Sequence, residues 1–221
     1  MRLLFVRHAQ SVGNAEGRMQ GRGETDLSEH GRAQAERLHA RFQDEGLLPS
    51  HTYSSPQRRT AETARIVTQS WQSSIEFWDD LREHDIGVFT GLSWDEANAQ
   101  YPELGPEVQR TRDWDIVPGA EKMGERRARG ERVVQQLLAR HADPDVVLVF
   151  THGGILQHIL AALMGTDRTW GVSIENTGVF EFTLDMERWT QGGDVLHSPF
   201  WWRIERFNDT SHLHAGTRLD G

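Results

Sequence analysis

The pattern that most constrains this chain is the alternation of short apolar runs with longer segments of helical periodicity. Leu3-Leu4-Phe5-Val6 is continuous and stops at polar residues, the mark of a strand buried on both faces, and Asp145–Phe150 is the clearest strand in the chain. His51–Ser54 and Ile75–Trp78 read as two more. Between them, a helical pattern opened by Ser28 or His30 carries Ala35, Leu38, Phe42 and Leu47 roughly on one face, and Pro56 stands where a second helix begins, with Ala61, Ala64, Ile66 and Val67 behind it. Glu121–His141 has helical composition with Val133, Val134, Leu137 and Leu138 as its core face, and Gly153-Gly154 lead into a buried helix over Ile155–Met164. Val179–Leu184 alternates as an antiparallel or edge strand does, and Trp201–Phe207 does the same. The expected fold is α/β: a three-layer sandwich with a mostly parallel mixed sheet flanked by helices on both faces.

At 221 residues with no internal repeat, one domain over 1–221 is expected. Within it lie a long irregular segment, about 84–118, with a short helix near Ser93–Gln100, and a short tail, about 208–221. Among 24 basic residues only Lys122 is a lysine, so nearly every cation is a guanidinium, suited to bidentate contact with phosphate or carboxylate. The formal charge of −9 repels nucleic acid and anionic membrane at long range, so neither is an expected partner and an anionic ligand must be drawn by a local arginine cluster. A small phosphorylated substrate fits that balance. The absence of cysteine removes disulfides, thiolate nucleophiles and thiolate metal sites. No apolar stretch reaches signal or transmembrane length, which makes the cytoplasm the expected compartment. Exposed edge strands or tryptophan-bearing surfaces are compatible with a homodimer.

Chemistry begins where the first strand ends. Arg7-His8-Ala9-Gln10-Ser11, followed by Asn14, puts a guanidinium and an imidazole at the carboxyl end of a strand, where open α/β sheets hold ligands. This stretch resembles the Arg-His-Gly signature of the histidine phosphatase superfamily (phosphoglycerate mutase-like family), with Ala9 in place of the usual glycine. Ser54-Ser55-Pro56-Gln57-Arg58-Arg59-Thr60-Ala61-Glu62-Thr63-Ala64 resembles that family's second block, in which the arginine before a small residue binds phosphate; the register makes it Arg59, with Thr60 where alanine is commoner. Leu81-Arg82-Glu83, followed by Gly87 and Gly91-Leu92, resembles the block carrying the proton-donating glutamate, here Glu83. Val149-Phe150-Thr151-His152-Gly153-Gly154 resembles the block of the second histidine, here His152. Gly13, Gly31, Gln34 and Ala35 also fall at common family positions, so the resemblance spans at least residues 2–165.

What the resemblance implies is a phosphate monoester hydrolase working through a phosphohistidine on His8, without metal or cofactor. An imidazole attacks phosphorus only when neutral, and Arg7, Arg59 and His152 around His8 favour that form while holding the phosphoryl oxygens. Glu83, kept protonated beside an anionic substrate, would donate to the leaving oxygen and then deprotonate water. Asn14 is a further candidate donor to phosphate, with Gln20 and Gly21 as a backbone contribution and Gly153 at a helix start; turn chemistry or tight packing also accounts for these types.

Alternatives stay open. A cofactor-dependent phosphoglycerate mutase, primed by 2,3-bisphosphoglycerate, is suggested by the faint likeness of Arg110–Pro118 to a mutase substrate segment, though Pro118-Gly119-Ala120-Glu121 follow at once, as in the shorter phosphatases. A silent phospho-ligand binding module would be favoured by loss of a core residue, and none is lost. His212 and His214, without a nearby carboxylate or cysteine cluster, are poor evidence for zinc. His84 reads as a solvated loop residue or a modulator of the site, Trp94 and Trp114 as walls of a substrate pocket, and Arg110 and Arg112 as substrate ligands or an exposed charge run. The physiological substrate is not written in any motif.

Overall fold

The structure is a computed structural model that describes residues 1–72, 74–169, 172–190 and 201–214. Six strands form one sheet: β1 (Arg2–Arg7), β2 (His51–Ser54), β3 (Ile75–Phe77), β4 (Val146–Thr151), β5 (Val179–Leu184) and β6 (Trp202–Asp209). Their order is β3-β2-β4-β1-β5-β6; the first four are parallel, while β5 runs antiparallel to both β1 and β6. The mostly parallel mixed sheet is therefore as expected, and Val179–Leu184 is an interior antiparallel strand.

Both faces of the sheet are covered, as the apolar run of β1 demands. Successive side chains point to opposite faces, so Leu3 and Phe5 join Val147, Val149 and Tyr53 on one side, while Leu4 and Val6 join Leu148 and Phe150 on the other. The first face packs against α6 (Met123–Arg140) through Val133 and Leu137 and against α7 (Gly153–Leu163) through Ile155 and Ile159. The second packs against α2 (Glu29–Asp44) through Ala35, Leu38 and Phe42 and against α3 (Arg58–Val67) through Ala64 and Val67. Ser28 caps α2 by accepting from the Gly31 amide at 3.0 Å. Phe42 is fully buried at the helix end, and truncating it to alanine would cost about 3–5 kcal/mol. A short α1 (Val12–Ala15) follows β1, and α8 (Met186–Thr190) follows β5.

Two sequence expectations need correction. The second helix starts at Arg58, not Pro56, because Gln57 holds the extended N-cap position. The segment around 84–118 is more regular than expected: α4 (Trp94–Gln100), capped by Ser93 with Glu96, is joined by α5 (Leu104–Thr111) and by 3-10 turns at Gly87–Phe89 and Trp114–Ile116. These enclose a separate small core of Ile86, Phe89, Ala97, Val108, Val117 and Ala120, against which Trp94 and Trp114 pack. The C-terminal stretch continues β6 through Asp209 and folds into a turn at Ser211–Leu213; residues 215–221 of the expected tail lie outside the described residues. Among the described residues no helix is long and apolar enough to cross a membrane.

Candidate active site

Strand register assembles the site. β1 pairs in parallel with β4 so that Arg7 lies opposite Thr151, which brings the next residues, His8 and His152, side by side at the carboxyl ends of two neighbouring strands. The His8 amide donates to the Thr151 carbonyl at 2.9 Å, and the two imidazole centroids are 5.1 Å apart. From the other side, Asn176 Nδ2 donates to the His8 carbonyl at 2.9 Å and the Thr177 amide to that of Arg7 at 3.1 Å.

The His8 tautomer follows from one contact. Nδ1 lies 2.7 Å from the Ala9 carbonyl, which can only accept, so Nδ1 carries the proton and Nε2 keeps a lone pair, which accepts from Arg59. That lone pair faces Arg59, whose Nε is 3.3 Å away. Burial, then Arg59 and Arg7, hold the His8 pKa well below the usual imidazole range, so the ring is neutral at physiological pH.

Arg59 projects from the first turn of α3 and is fully buried. Its Nη1 donates to the Gly23 carbonyl at 2.8 Å and its Nη2 to that of Gly21 at 3.0 Å, so the fork is fixed by main chain rather than by a carboxylate. Burial lowers its pKa to about 10, which leaves it cationic at neutral pH. Arg7 donates through Nη1 to the Ile174 carbonyl, while its Nε is buried without a protein partner. A buried unpaired donor on a cation is a position for an anionic ligand oxygen.

His152 is the N-cap residue of α7, and its Nε2 lies 2.8 Å from Ser55 Oγ and 3.1 Å from Thr60 Oγ1. Two hydroxyls thus set the ring, and the Thr60 that departs from the common alanine is one of them. Burial, followed by the charge of Arg59, holds the His152 pKa well below the usual imidazole range as well.

Glu83 sits on the N-terminus of α7, at the same cluster. Its carboxylate accepts from the amides of Gly154 and Ile155 at 2.9 Å each, from the amide of His84 at 2.9 Å, and lies 3.0 Å from His84 Nδ1. Only glycine permits this approach, because a Cβ on residue 154 would lie 2.3 Å from the His84 ring and 2.6 Å from Glu83 Oε1. Without substrate these contacts favour the ionised form, whereas the expected protonated carboxyl belongs to the complex with an anionic substrate. Burial opposes ionisation, but His84, His152 and the helix amides outweigh it and hold the Glu83 pKa well below the carboxylate range. The reading of His84 as solvated fails: its ring is mostly enclosed, bonded to Glu83 and edge-on to Trp114 at 5.9 Å.

Behind this loop, Thr151 Oγ1 donates to the Leu81 carbonyl at 2.8 Å. Arg129 of α6 reaches the Asp80 and Arg82 carbonyls at 2.9 and 2.5 Å and pairs with the Glu121 carboxylate at 2.6 Å. Gln57 bridges the halves of the site: its Oε1 accepts from the Glu83 amide at 2.7 Å and its Nε2 donates to the Gly21 carbonyl at 3.2 Å.

The remaining expected residues divide. Asn14 Oδ1 is used in a capping box with Ser11, leaving its amide hydrogens as what it can offer a ligand. Gln20 Oε1 accepts from Thr25 at 2.5 Å, and Gly21, at φ +49°, serves Arg59 as an acceptor. Gly153 packs under the Arg7 guanidinium, where even a Cβ would be 3.5 Å from Nε. Arg110 is exposed and paired with Glu107 at 2.7 Å, and Arg112 stacks over the Trp94 ring at 4.8 Å. His212 is buried, with Nε2 2.9 Å from Thr177 Oγ1. Ser55, Gln57, Thr60, Arg129 and Asn176 are the residues that sequence reasoning does not assign to the site, and among them only Thr60, as a departure from a common residue, carries a signal; His84 takes the modulator's place that the sequence allows it.

Comparison with known proteins agrees with this geometry. The model of the histidine phosphatase superfamily (branch 1) matches residues 3–192. Phosphoglycerate mutase-like protein 4 of Arabidopsis thaliana is 34% identical over 200 residues, covering 88% of this chain and 86% of its own length. The metal-independent phosphoserine phosphatase of the same plant is 28% identical over 215 residues, covering 96% and 83%. Among solved structures, Bacillus stearothermophilus YhfR matches with a TM-score of 0.80 at 28% identity, over 96% of this chain and 98% of that one. A mycobacterial glucosyl-3-phosphoglycerate phosphatase matches at 0.74 and 26% identity, over 94% and 98%. With a buried imidazole, two guanidinium groups and a helix-bound glutamate in one cluster, and a family model spanning most of its length, this chain belongs to the histidine phosphatase superfamily.

Proposed function

We propose that the protein is a metal-independent phosphate monoester hydrolase that forms a phosphohistidine on Nε2 of His8. The observation that carries this reading is a neutral His8 whose deprotonated Nε2 accepts only from the main-chain-anchored Arg59, at 3.3 Å, in a cluster where Arg7 keeps a buried, unpaired Nε. Arg7, Arg59 and His152 hold the phosphoryl oxygens as charge spreads over them, with Asn14 as a further donor. Removing one such donor typically costs about 10²- to 10³-fold in rate.

Because Glu83 is ionised in the free protein, its proton arrives with the substrate. A phosphate monoester has its second pKa near about 6, so its monoanion is accessible at neutral pH. Glu83 takes that proton, relieving two anions held close together, and His8 attacks the resulting dianion. As the P–O bond breaks, Glu83 returns the proton to the leaving alkoxide and the phosphoryl group stays on Nε2. Water then gives a proton to the Glu83 carboxylate and attacks the phosphohistidine; the phosphate takes that proton and leaves as its monoanion, restoring His8 and the Glu83 carboxylate. The same donors serve both transfers.

The mutase alternative requires a second anionic anchor on the substrate. Arg110 and Arg112, its candidates, are engaged with Glu107 and Trp94, which favours transfer to water. The test is phosphate release from a panel of monoesters, phosphoserine and 3-phosphoglycerate included, with a metal chelator present and product isomers monitored. Release that survives chelation and vanishes in His8→Ala supports hydrolysis; isomerisation without net release, dependent on 2,3-bisphosphoglycerate, overturns it in favour of the mutase.

A further inference from the structure

The opposite end of the sheet carries a cluster that the proposed reaction does not use. His51 opens β2, Asp145 immediately precedes β4, and His141 caps the C-terminus of α6. One ligand-capable atom from each lies within 4.8 Å of the others. His51 Nε2 is 3.7 Å from Asp145 Oδ1, and His141 Nδ1 is 3.5 Å from Asp145 Oδ2. A tetrahedral zinc with bonds of about 2.0–2.2 Å sets its ligand atoms about 3.4 Å apart, close to both distances.

We propose that His51, His141 and Asp145 form a binding site for a divalent transition-metal ion, with zinc as the occupant that suits two imidazoles, one carboxylate and a water. An independent observation points the same way. The His141 side chain is only 2% exposed, and its Nδ1 is buried with no hydrogen-bond partner while facing a carboxylate. Its Nε2 is 2.9 Å from Tyr53 Oη; with Nε2–H donating to that oxygen, Nδ1 presents a lone pair toward Asp145. A histidine oriented through its far nitrogen, with its near nitrogen buried, unpaired and turned to a carboxylate, is the usual support of a metal ligand.

The surroundings are consistent. The Ala142 amide and Ser50 Oγ bond Asp145 at 3.1 and 3.2 Å and orient its carboxylate. The nearby Arg140 is paired with Glu76 through two contacts of 2.9 Å, which offsets its charge. His51 is 45% exposed and borders a groove of about 520 Å³ lined by Pro49, Tyr53, Trp71 and Glu76, which gives the ion a way in. The length of β4 separates this site from His152 by about 20 Å, so the ion ties α6, β2 and β4 together and takes no part in phosphoryl transfer.

The test titrates chelator-stripped protein with zinc chloride against a chromophoric competitor, with thermal unfolding and phosphatase activity measured on the same samples. The expected result is one zinc per chain, a higher melting temperature with zinc, and an affinity at least about tenfold weaker in His51→Ala and in Asp145→Asn, both retaining wild-type phosphatase activity. Because His51 is exposed, its removal leaves the fold intact, and retained activity confirms this. Zinc bound equally well by wild type and His51→Ala, or by neither, overturns the proposal.

Discussion

Gly154→Ala is a small change with a calculable consequence. The added methyl group would sit 2.6 Å from Glu83 Oε1 and 2.3 Å from the His84 ring, whereas comfortable non-bonded contacts lie near about 3.5 Å. The carboxylate must therefore retreat by about 1 Å, lengthening its bonds from the Gly154 and Ile155 amides, both 2.9 Å in the wild type. A misplacement of about 1 Å costs on the order of 10²-fold in a positioned reaction. The loss should depend on the leaving group. An alkyl phosphate such as phosphoserine needs the Glu83 proton and should slow by about 10²-fold, while a nitrophenyl ester, whose phenolate departs unaided, should slow by less than about 10-fold. Steady-state kcat on the two esters reads this directly, and their ratio is insensitive to the folded fraction, which scales both rates alike. Equal losses on both esters, or no loss on either, would refute the assignment of Glu83 as proton carrier and of Gly154 as the residue that admits it.

Other outcomes follow from the same geometry. Arg59→Met removes a cation that depresses the His8 pKa, so the acid limb of kcat/KM, which lies below pH 6.5 in the wild type, should move upward while the rate falls by about 10²- to 10³-fold; an unmoved limb would show that His8 is not the titrating group. Arg129→Ala removes the main partner of the half-buried Glu121, leaving Arg22 at 3.7 Å, and should lower unfolding stability by about 1–3 kcal/mol in denaturant titration. His158 and His212 have pKa values lowered to about 4 from 6.5, first by burial. The unfolded chain therefore binds protons that the folded one refuses, and stability should be full above pH 6.5 and fall as pH drops toward 4; a melting temperature flat across that window contradicts the assignment.

Much of this was legible in the sequence because the strongest physical signals are local. A run such as Leu3–Val6 can be satisfied only with apolar cover on both faces, and the helices that supply it carry their own periodicity. His8 and His152 could be placed because each directly follows a strand, and strand ends are where such sheets gather chemistry. The misses have one local cause and several that are not. α5 was read as irregular because Gly105 and Pro106 stand in its first turn, where proline is tolerated even though it breaks helices elsewhere. Gln57 fails to cap α3 with its side chain because that amide is spent on Glu83 and Gly21, contacts with residues that are distant in sequence. The ionised state of Glu83 depends on the amides of α7, some seventy residues away, and His51, His141 and Asp145 converge only once β2, α6 and β4 are docked.

The most direct test of the central claim is isolation of the covalent intermediate. Protein mixed rapidly with a monoester labelled on phosphorus, quenched in base and digested, should yield an acid-labile phosphoryl group on the peptide containing His8, attached through Nε2 as the bond from Nδ1 to the Ala9 carbonyl requires. The label should be absent from His8→Ala. Phosphate released with no such adduct, or an adduct on His152 or on Nδ1 of His8, would contradict the account.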